Sequence, residues 1–201
     1  MANNRRRDIL RRAAELFASQ GVSRTSIEDI AAAVGIKREG VYYYFKSRSD
    51  ILLEIILPQS KSLLMGLQRL MRANMDSTLK LRSAIEIHLD AYNPSYIEMS
   101  VALKEQHFGL DDTRMNELRM VWDEYGMLWT GIIREGQARG AFKQEIDAKI
   151  VAYGLLGMCN WVSRWYDPDK STTIRDITDT FAAIATTGVE AAAVAKPEAA
   201  Q

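Results

Sequence analysis

An all-α chain is predicted by three features of this 201-residue sequence. Apolar residues recur at steps of three and four over long stretches. No run shows the period-two alternation of a half-buried strand. Only four prolines, Pro58, Pro94, Pro168 and Pro197, interrupt those stretches. No repeat at solenoid spacing is visible. The length accommodates a small head domain joined to a larger body.

The first helix is predicted over about residues 4–20, with Ile9, Ala13, Leu16 and Phe17 inward and Gly21 ending it. Arg7, Arg11 and Arg12 are left on its outer side. Thr25-Ser26-Ile27-Glu28 reads as a capping box, the Thr25 hydroxyl and Glu28 carboxylate satisfying each other's free backbone N–H groups. A short helix follows, with Ile27, Ile30, Ala31 and Val34 inward, stopped at Gly35. A third spans about residues 38–45, and the fourth starts at Ser47 or Ser49, both able N-caps. Two short helices around a Gly-containing turn, after a longer first helix, make the helix-turn-helix layout. The turn forces a steep crossing and frees the third helix's outer face for a major groove.

The body is predicted to hold four or five longer helices. One covers about residues 111–139, with Met115, Leu118, Trp122, Tyr125, Trp129 and Ile132 on one stripe. Another covers about residues 147–166 and stops at Asp167-Pro168-Asp169. The last starts near Thr173 and carries Ile174, Ile177, Phe181, Ile184 and Gly188, flanked by Ala182, Ala185 and Val189. The expected division is a head over 1–47, a body over 48–190 and a flexible tail over 191–201.

Composition narrows the function classes. With 47% hydrophobic and 26% charged residues, wholesale disorder is excluded. The single Cys159 excludes an intrachain disulfide and any multi-Cys metal site, and fits a reducing, cytoplasmic setting. No run reaches the length of a membrane span, and no apolar stretch follows the arginines of Met1–Asp8 as in a secretory signal. The formal net charge is zero, but it is unevenly spread. Residues 1–50 carry ten Lys and Arg against six Asp and Glu, and the remainder carries sixteen against twenty. A basic head on an acidic body suits a head that meets a polyanion. Charge alone does not decide between that and a chance fluctuation.

In order and spacing, Ile9…Ala13-Ala14-Glu15-Leu16-Phe17…Gly21-Val22…Thr25-Ser26-Ile27…Ile30-Ala31…Val34-Gly35-Ile36…Val41-Tyr42-Tyr43-Tyr44-Phe45-Lys46-Ser47-Arg48…Leu52 resembles the DNA-binding head of the TetR/AcrR family of bacterial regulators. The match covers roughly residues 5–52. Two positions depart from the family pattern. Lys37 stands where Ser or Thr usually caps the recognition helix, and Glu39-Gly40 stands where Gly or Pro is often followed by Ala, Ser or Thr. Gly40 lowers helix propensity by about 1 kcal/mol relative to Ala and leaves backbone able to approach a base closely. Glu39 either accepts from a cytosine amino group or pairs with Lys37 or Arg38.

The resemblance implies an operator of double-stranded DNA as partner. Arg38 has the fork for guanine O6 and N7, or for a plain phosphate contact. Tyr42 and Tyr43 are implied contacts, with Tyr44 partly packed. Thr25 and Ser26 offer donors to a phosphate at a helix N-terminus. Lys37 adds charge there, and Lys46 and Arg48 clamp the flanking backbone. Arg5, Arg6 and Arg7 form a mobile arm on this reading.

No HExxH, GxSxG, Walker or GxGxxG motif occurs, and the only histidines are His88 and His107. Cys159 lies in an apolar helix and reads as buried structure, His88 as a packed residue, and Glu105 and His107 as too poorly placed to share a metal. No catalytic residue, metal or cofactor is expected. The live alternative is an architectural or regulatory DNA-binding protein without a small-molecule effector. A roomy pocket in the body separates the two.

The stretch Gly154 to Tyr166 is apolar on two sides: Val151, Leu155, Met158, Val162 and Trp165 on one, Ile150, Gly154, Gly157 and Trp161 on the other. Such a helix is covered on both sides. One side lining the interior and the other meeting a partner subunit would satisfy it. Asn160 and Arg164 are expected on one face, Arg164 facing either an anionic ligand or Asp123, Glu124 or Asp167. The string Asn160-Trp161…Arg164-Trp165-Tyr166 resembles a helix of TetR-family regulators that sense acyl-CoA thioesters. The candidate effector site is Trp122, Trp129, Met158, Asn160, Trp161, Arg164 and Trp165, with Met65, Met99 and Met127 as adaptable lining, Gly154 and Gly157 thinning the wall, and Pro58 kinking the fourth helix. Ile177, Phe181, Ile184 and Ala185 are expected at the centre of a homodimer interface.

Overall fold

The computed structural model describes residues 2–91 and 113–186, with side chains over 4–91 and 116–186. Expectations that fall on Met99, Glu105, His107, Met115, Gly188, Val189 and the 191–201 tail lie outside what is described. The helices are α1 (Ala2–Gln20), α2 (Ile27–Val34), α3 (Arg38–Tyr42), α4 (Arg48–Arg72), α5 (Ser77–Asp90), α6 (Thr113–Ala138), α7 (Ala148–Trp161) and α8 (Ile174–Thr186), and a 3-10 turn, Val162–Arg164, extends α7. Among the described residues there is no strand, and no helix is long and apolar enough to cross a membrane.

Ile9, Ala13 and Phe17 of α1 pack with Ile30, Val41 and Phe45 into the head core. Gly21 ends α1 with φ 87°, and Gly35 ends α2 with φ 72°, left-handed positions that favour glycine. The capping box sits one residue later than the sequence suggested. Ser26 Oγ accepts from Asp29 N at 3.0 Å, and Asp29 Oδ2 accepts from Ser26 N at 2.8 Å. Thr25 is buried, and its hydroxyl donates to Gly21 O at 2.8 Å while accepting from Gln20 Nε2 at 3.2 Å, which turns it toward the end of α1 and away from the start of α2. Helix α3 is shorter than predicted because the chain turns at Tyr43 and Tyr44. Ser47 is the N-cap of α4, accepting from Asp50 N at 3.1 Å.

The N-terminal arginines are not a loose arm. They lie in the first turns of α1, and Arg6 pairs with Glu54 of α4 and sits 5.1 Å from the Phe45 ring centroid.

Helix α4 runs unbroken from head to body. Pro58 lies within it and is exposed, so the helix is not interrupted there. The missing N–H removes one rung. Leu52, Ile56, Leu63 and Leu67 on its inner side continue one hydrophobic core into α5, α6 and α7. Lys61 Nζ meets Glu117 at 2.5 Å and Gln68 Nε2 meets Glu124 at 2.6 Å. Both partners advance together by two helical turns, so α4 and α6 run parallel. Lys80 of α5 is buried and bonds both Glu135 oxygens, at 3.0 and 2.9 Å, and Arg139 shares that carboxylate at 2.8 Å. Helix α7 ends at Trp161, before Asp167-Pro168-Asp169, and α8 opens with Thr173 and Asp176 capping each other at 3.1 and 2.9 Å.

Candidate nucleic-acid interface and effector site

Helix α3 holds Val41 in the core and leaves Lys37, Arg38, Glu39, Tyr42, Tyr43 and Lys46 exposed on and beside it. Tyr43 is 80% exposed and meets the half-buried Tyr44 edge-on, centroids 4.9 Å apart. Lys37 takes the N-cap position without any side-chain cap bond. Arg38 is the most constrained of the cations. Its Nη1 lies 2.6 Å from Glu28 Oε1, its Nη2 donates to Tyr42 Oη at 3.1 Å, and its guanidinium carbon is 5.3 Å from the Tyr42 ring centroid. The Tyr42 hydrogen bond, then Glu28, raise its pKa further.

Three head residues sit differently from the sequence expectation. Thr25 is enclosed and offers no side-chain group outward. A Cβ on Gly40 would lie 3.4 Å from Ile36 Cδ1, so this glycine faces the α2–α3 turn rather than a groove. Arg48 Nη1 donates to Ser23 O at 3.1 Å and Thr25 O at 2.9 Å, which ties α4 to the α1–α2 loop. Arg48→Ala is therefore expected to destabilise the protein by about 1–2 kcal/mol, since charge-assisted bonds to carbonyls are lost. Urea unfolding measures this, and an unchanged midpoint would contradict it.

Behind the head, α5, α6 and α7 meet at a buried polar cluster. His88 Nδ1 lies 3.0 Å from Tyr125 Oη, and Nε2 lies 3.0 Å from Asn160 Oδ1. With Oδ1 as acceptor, Nε2 carries the proton and Nδ1 accepts from the tyrosine hydroxyl. Burial pushes His88 down to about 4, so it is neutral at pH 7, and raises Tyr125 strongly and the Cys159 thiol to about 12. Trp129 is fully buried and Trp122 half-buried, both edge-on to Tyr125 at 6.4 and 5.6 Å. The sequence placed Asn160 here but not His88 or Tyr125. Tyr125 was visible only as one of a stripe, and no local pattern marks a histidine whose partners are 37 and 72 residues away.

The rest of the expected effector wall is dispersed. Met158 is half-buried, whereas Trp161 and Trp165 are 63% and 47% exposed, and Met65 and Met127 also face outward. Asn160 points inward and Arg164 outward, because the helix tightens into the 3-10 turn between them. Arg164 stands over the Trp161 ring at 5.8 Å and makes no ion pair among the described residues. Gly154 and Gly157 are exposed with nothing within 4 Å of a Cβ, so they do not thin an inner wall. They lie instead on an outer apolar face of α7 with Ile150 and Tyr153, and Ile184 of α8 is also exposed. Ile177 is buried within the protomer, while Phe181 and Ala185 are half-buried against its core. Between head and body, Phe45, Lys46, Leu53, Leu57, Pro58, and Glu117 border a cleft of about 600 Å³.

A compact three-helix head with a cationic, tyrosine-rich third helix, carried on a helical body, is the architecture of a helix-turn-helix transcriptional regulator. Residues 9–55 match the family described as bacterial regulatory proteins, tetR family, and residues 74–189 match the tetracyclin repressor-like C-terminal domain. The chain belongs to the TetR family of DNA-binding regulators, which are not enzymes. The HTH-type transcriptional repressor KstR2 of Rhodococcus jostii is 27% identical over 188 residues, spanning 93% of this chain and 92% of its own. The ketosteroid transcriptional regulator KstR2 of Mycobacterium tuberculosis has the same fold, with a TM-score of 0.84 at 20% identity over 92% of this chain and 94% of that one. AibR in complex with isovaleryl coenzyme A and operator DNA gives 0.77 at 21% identity over 90% and 97%.

Proposed function

We propose that this protein is a homodimeric repressor that occupies a palindromic operator and is released by a small apolar effector with an anionic end, an acyl-CoA thioester first among candidates. The observation that carries the DNA half is the exposed α3 face, where Arg38, Tyr42, Tyr43, Lys37 and Lys46 converge above a buried Val41. Dimerisation would place two such faces on successive major grooves. The outer apolar face of α7 offers the surface for a second copy, and Ile184 of α8 is exposed as well.

The effector half rests on kinship and on chemistry. KstR2 of R. jostii is a repressor, and AibR is seen with isovaleryl coenzyme A. In this chain the His88–Tyr125–Asn160 cluster is polar chemistry inside an apolar body, with Trp122 and Met158 half-buried beside it. Arg164 and Trp161 at the end of α7 supply an outward cation and ring for an anionic group. The head–body cleft beside Pro58 gives the head room to shift when the body changes. A ligand that binds the DNA-incompetent arrangement more tightly lowers operator affinity by that difference.

An operator recovered by selection from randomised duplexes should bind at nanomolar concentration, and fatty-acyl or steroid-derived CoA esters should weaken binding by about 5- to 150-fold. Native mass spectrometry of the purified protein would weigh a co-purifying ligand. If no CoA ester shifts the operator titration, the acyl-CoA reading is wrong.

A further inference from the structure

We infer that Glu28 of α2 determines base specificity by holding Arg38 so that it reads a base and does not grip a phosphate. The inference rests on the reading of α3 as the DNA-facing helix. Glu28 and Arg38 are ten residues apart across the α2–α3 turn, and their side chains meet at 2.6 Å while each stays 54% exposed. Tyr42 completes the cradle, accepting from Nη2 at 3.1 Å and presenting its ring to the guanidinium.

Donor counting shows what the cradle leaves over. Arginine has five N–H donors. Tyr42 engages one, Glu28 faces Nη1 as an ion pair, and a bidentate guanine contact needs two of the rest. The guanidinium plane is thus set before DNA arrives, and less side-chain freedom is lost on binding. An exposed surface ion pair contributes little to stability. What the Glu28 carboxylate does bring is negative charge beside the cation that meets DNA. It repels phosphates and weakens binding wherever Arg38 finds no base to reward it, which is specificity by a repulsive element. An acid in the first turn of α2 also favours the helix dipole, and that role leaves base preference untouched.

The test uses the full-length dimer, the selected operator, its variants at each guanine, and an unrelated duplex, titrated by fluorescence anisotropy. Arg38→Ala should lose about 5- to 150-fold discrimination at one guanine of each half-site. Glu28→Ala should lose about threefold or more of that discrimination at the same guanine while binding the unrelated duplex about two- to threefold more tightly. Glu28→Gln, which keeps an acceptor but no charge, should gain on unrelated DNA and keep more of the discrimination. In the Arg38→Ala background, Glu28→Ala should change no base preference. Circular dichroism melts of each variant confirm folded protein. Unchanged discrimination in Glu28→Ala, or a loss that persists without Arg38, overturns the inference. If Arg38→Ala itself keeps every base preference, the reading of Arg38 beneath it fails instead, and that outcome is distinct.

Discussion

Gly157→Arg is expected to yield a folded protomer that no longer dimerises and binds its operator about a hundred- to ten-thousandfold more weakly. The loss follows from giving up two-point attachment, since the second half-site contact is otherwise intramolecular. The protomer has no reason to object. A Cβ at Gly157 meets nothing within 4 Å, and the residue is exposed within α7. Replacing a helical glycine also recovers roughly 0.8–1 kcal/mol of helix propensity. Across a twofold seam, however, two arginines would be buried near each other without partners. The outer face of α7, with Ile150 at 74% exposure and Tyr153 at 51%, is too apolar to be an ordinary solvated helix face. Sedimentation at micromolar concentration should show folded monomers, with a melting temperature that, unlike that of the wild-type dimer, does not depend on protein concentration. A dimer that persists in Gly157→Arg would place the interface elsewhere.

Phe181→Asp makes a poorer probe of the same interface. Phe181 is half-buried against the core of its own protomer, so the charge would damage folding as well as assembly. Ile177, expected at the centre of the interface, is 3% exposed and cannot reach a partner without opening the protomer.

These residues show what the sequence could and could not convey. Periodicity reported which positions are apolar. It did not report which of two apolar sides faces inward, because that depends on where α4, α5 and α6 lie. Helix α7 shows this: Ala152, Leu155, Leu156 and Cys159 face the core, and the tryptophan at 161 faces out despite its size. The head was legible in order and extent because its signals are local: a glycine ending each of α1 and α2 and a serine opening α4. The errors there came from competition between neighbours. Thr25 and Ser26 are both able caps, and the bond to Gly21 O turns the first inward. Arg6 and Arg48 look like DNA-facing cations, yet Glu54, Phe45 and two loop carbonyls engage them across separations that no window of sequence contains. Glu28 has the spacing of a capping-box acid, yet it faces Arg38 across the α2–α3 turn.

The buried cluster was the least legible feature, and it carries the second large effect, a loss of stability in mild acid. Burial holds His88 at about 4 in the folded chain, against an ordinary 6.5. Between those values the unfolded chain takes up a proton that the folded one refuses. Stability is therefore complete above about pH 6.5 and falls as pH drops toward 4, by about 3 kcal/mol in all. Other acid-sensitive groups act elsewhere on the scale. Asp29 and Asp176 are held below 3.8 by hydrogen bonds from Ser26 and Thr173, so their contributions fade at lower pH still. His88→Gln removes the titration and keeps one donor and one acceptor near Tyr125 and Asn160. It should cost about 1–3 kcal/mol at pH 7, because the shorter, differently shaped amide cannot meet both partners. Between pH 6.5 and 4 its stability should then fall much less steeply than that of wild type, so that the two curves converge toward the acid end. Urea unfolding across that range measures both slopes. Parallel curves would mean that folded His88 takes up its proton as readily as the unfolded chain does; Nδ1 would then donate to Tyr125 Oη, reversing that one hydrogen bond, while Nε2 still donates to Asn160 Oδ1.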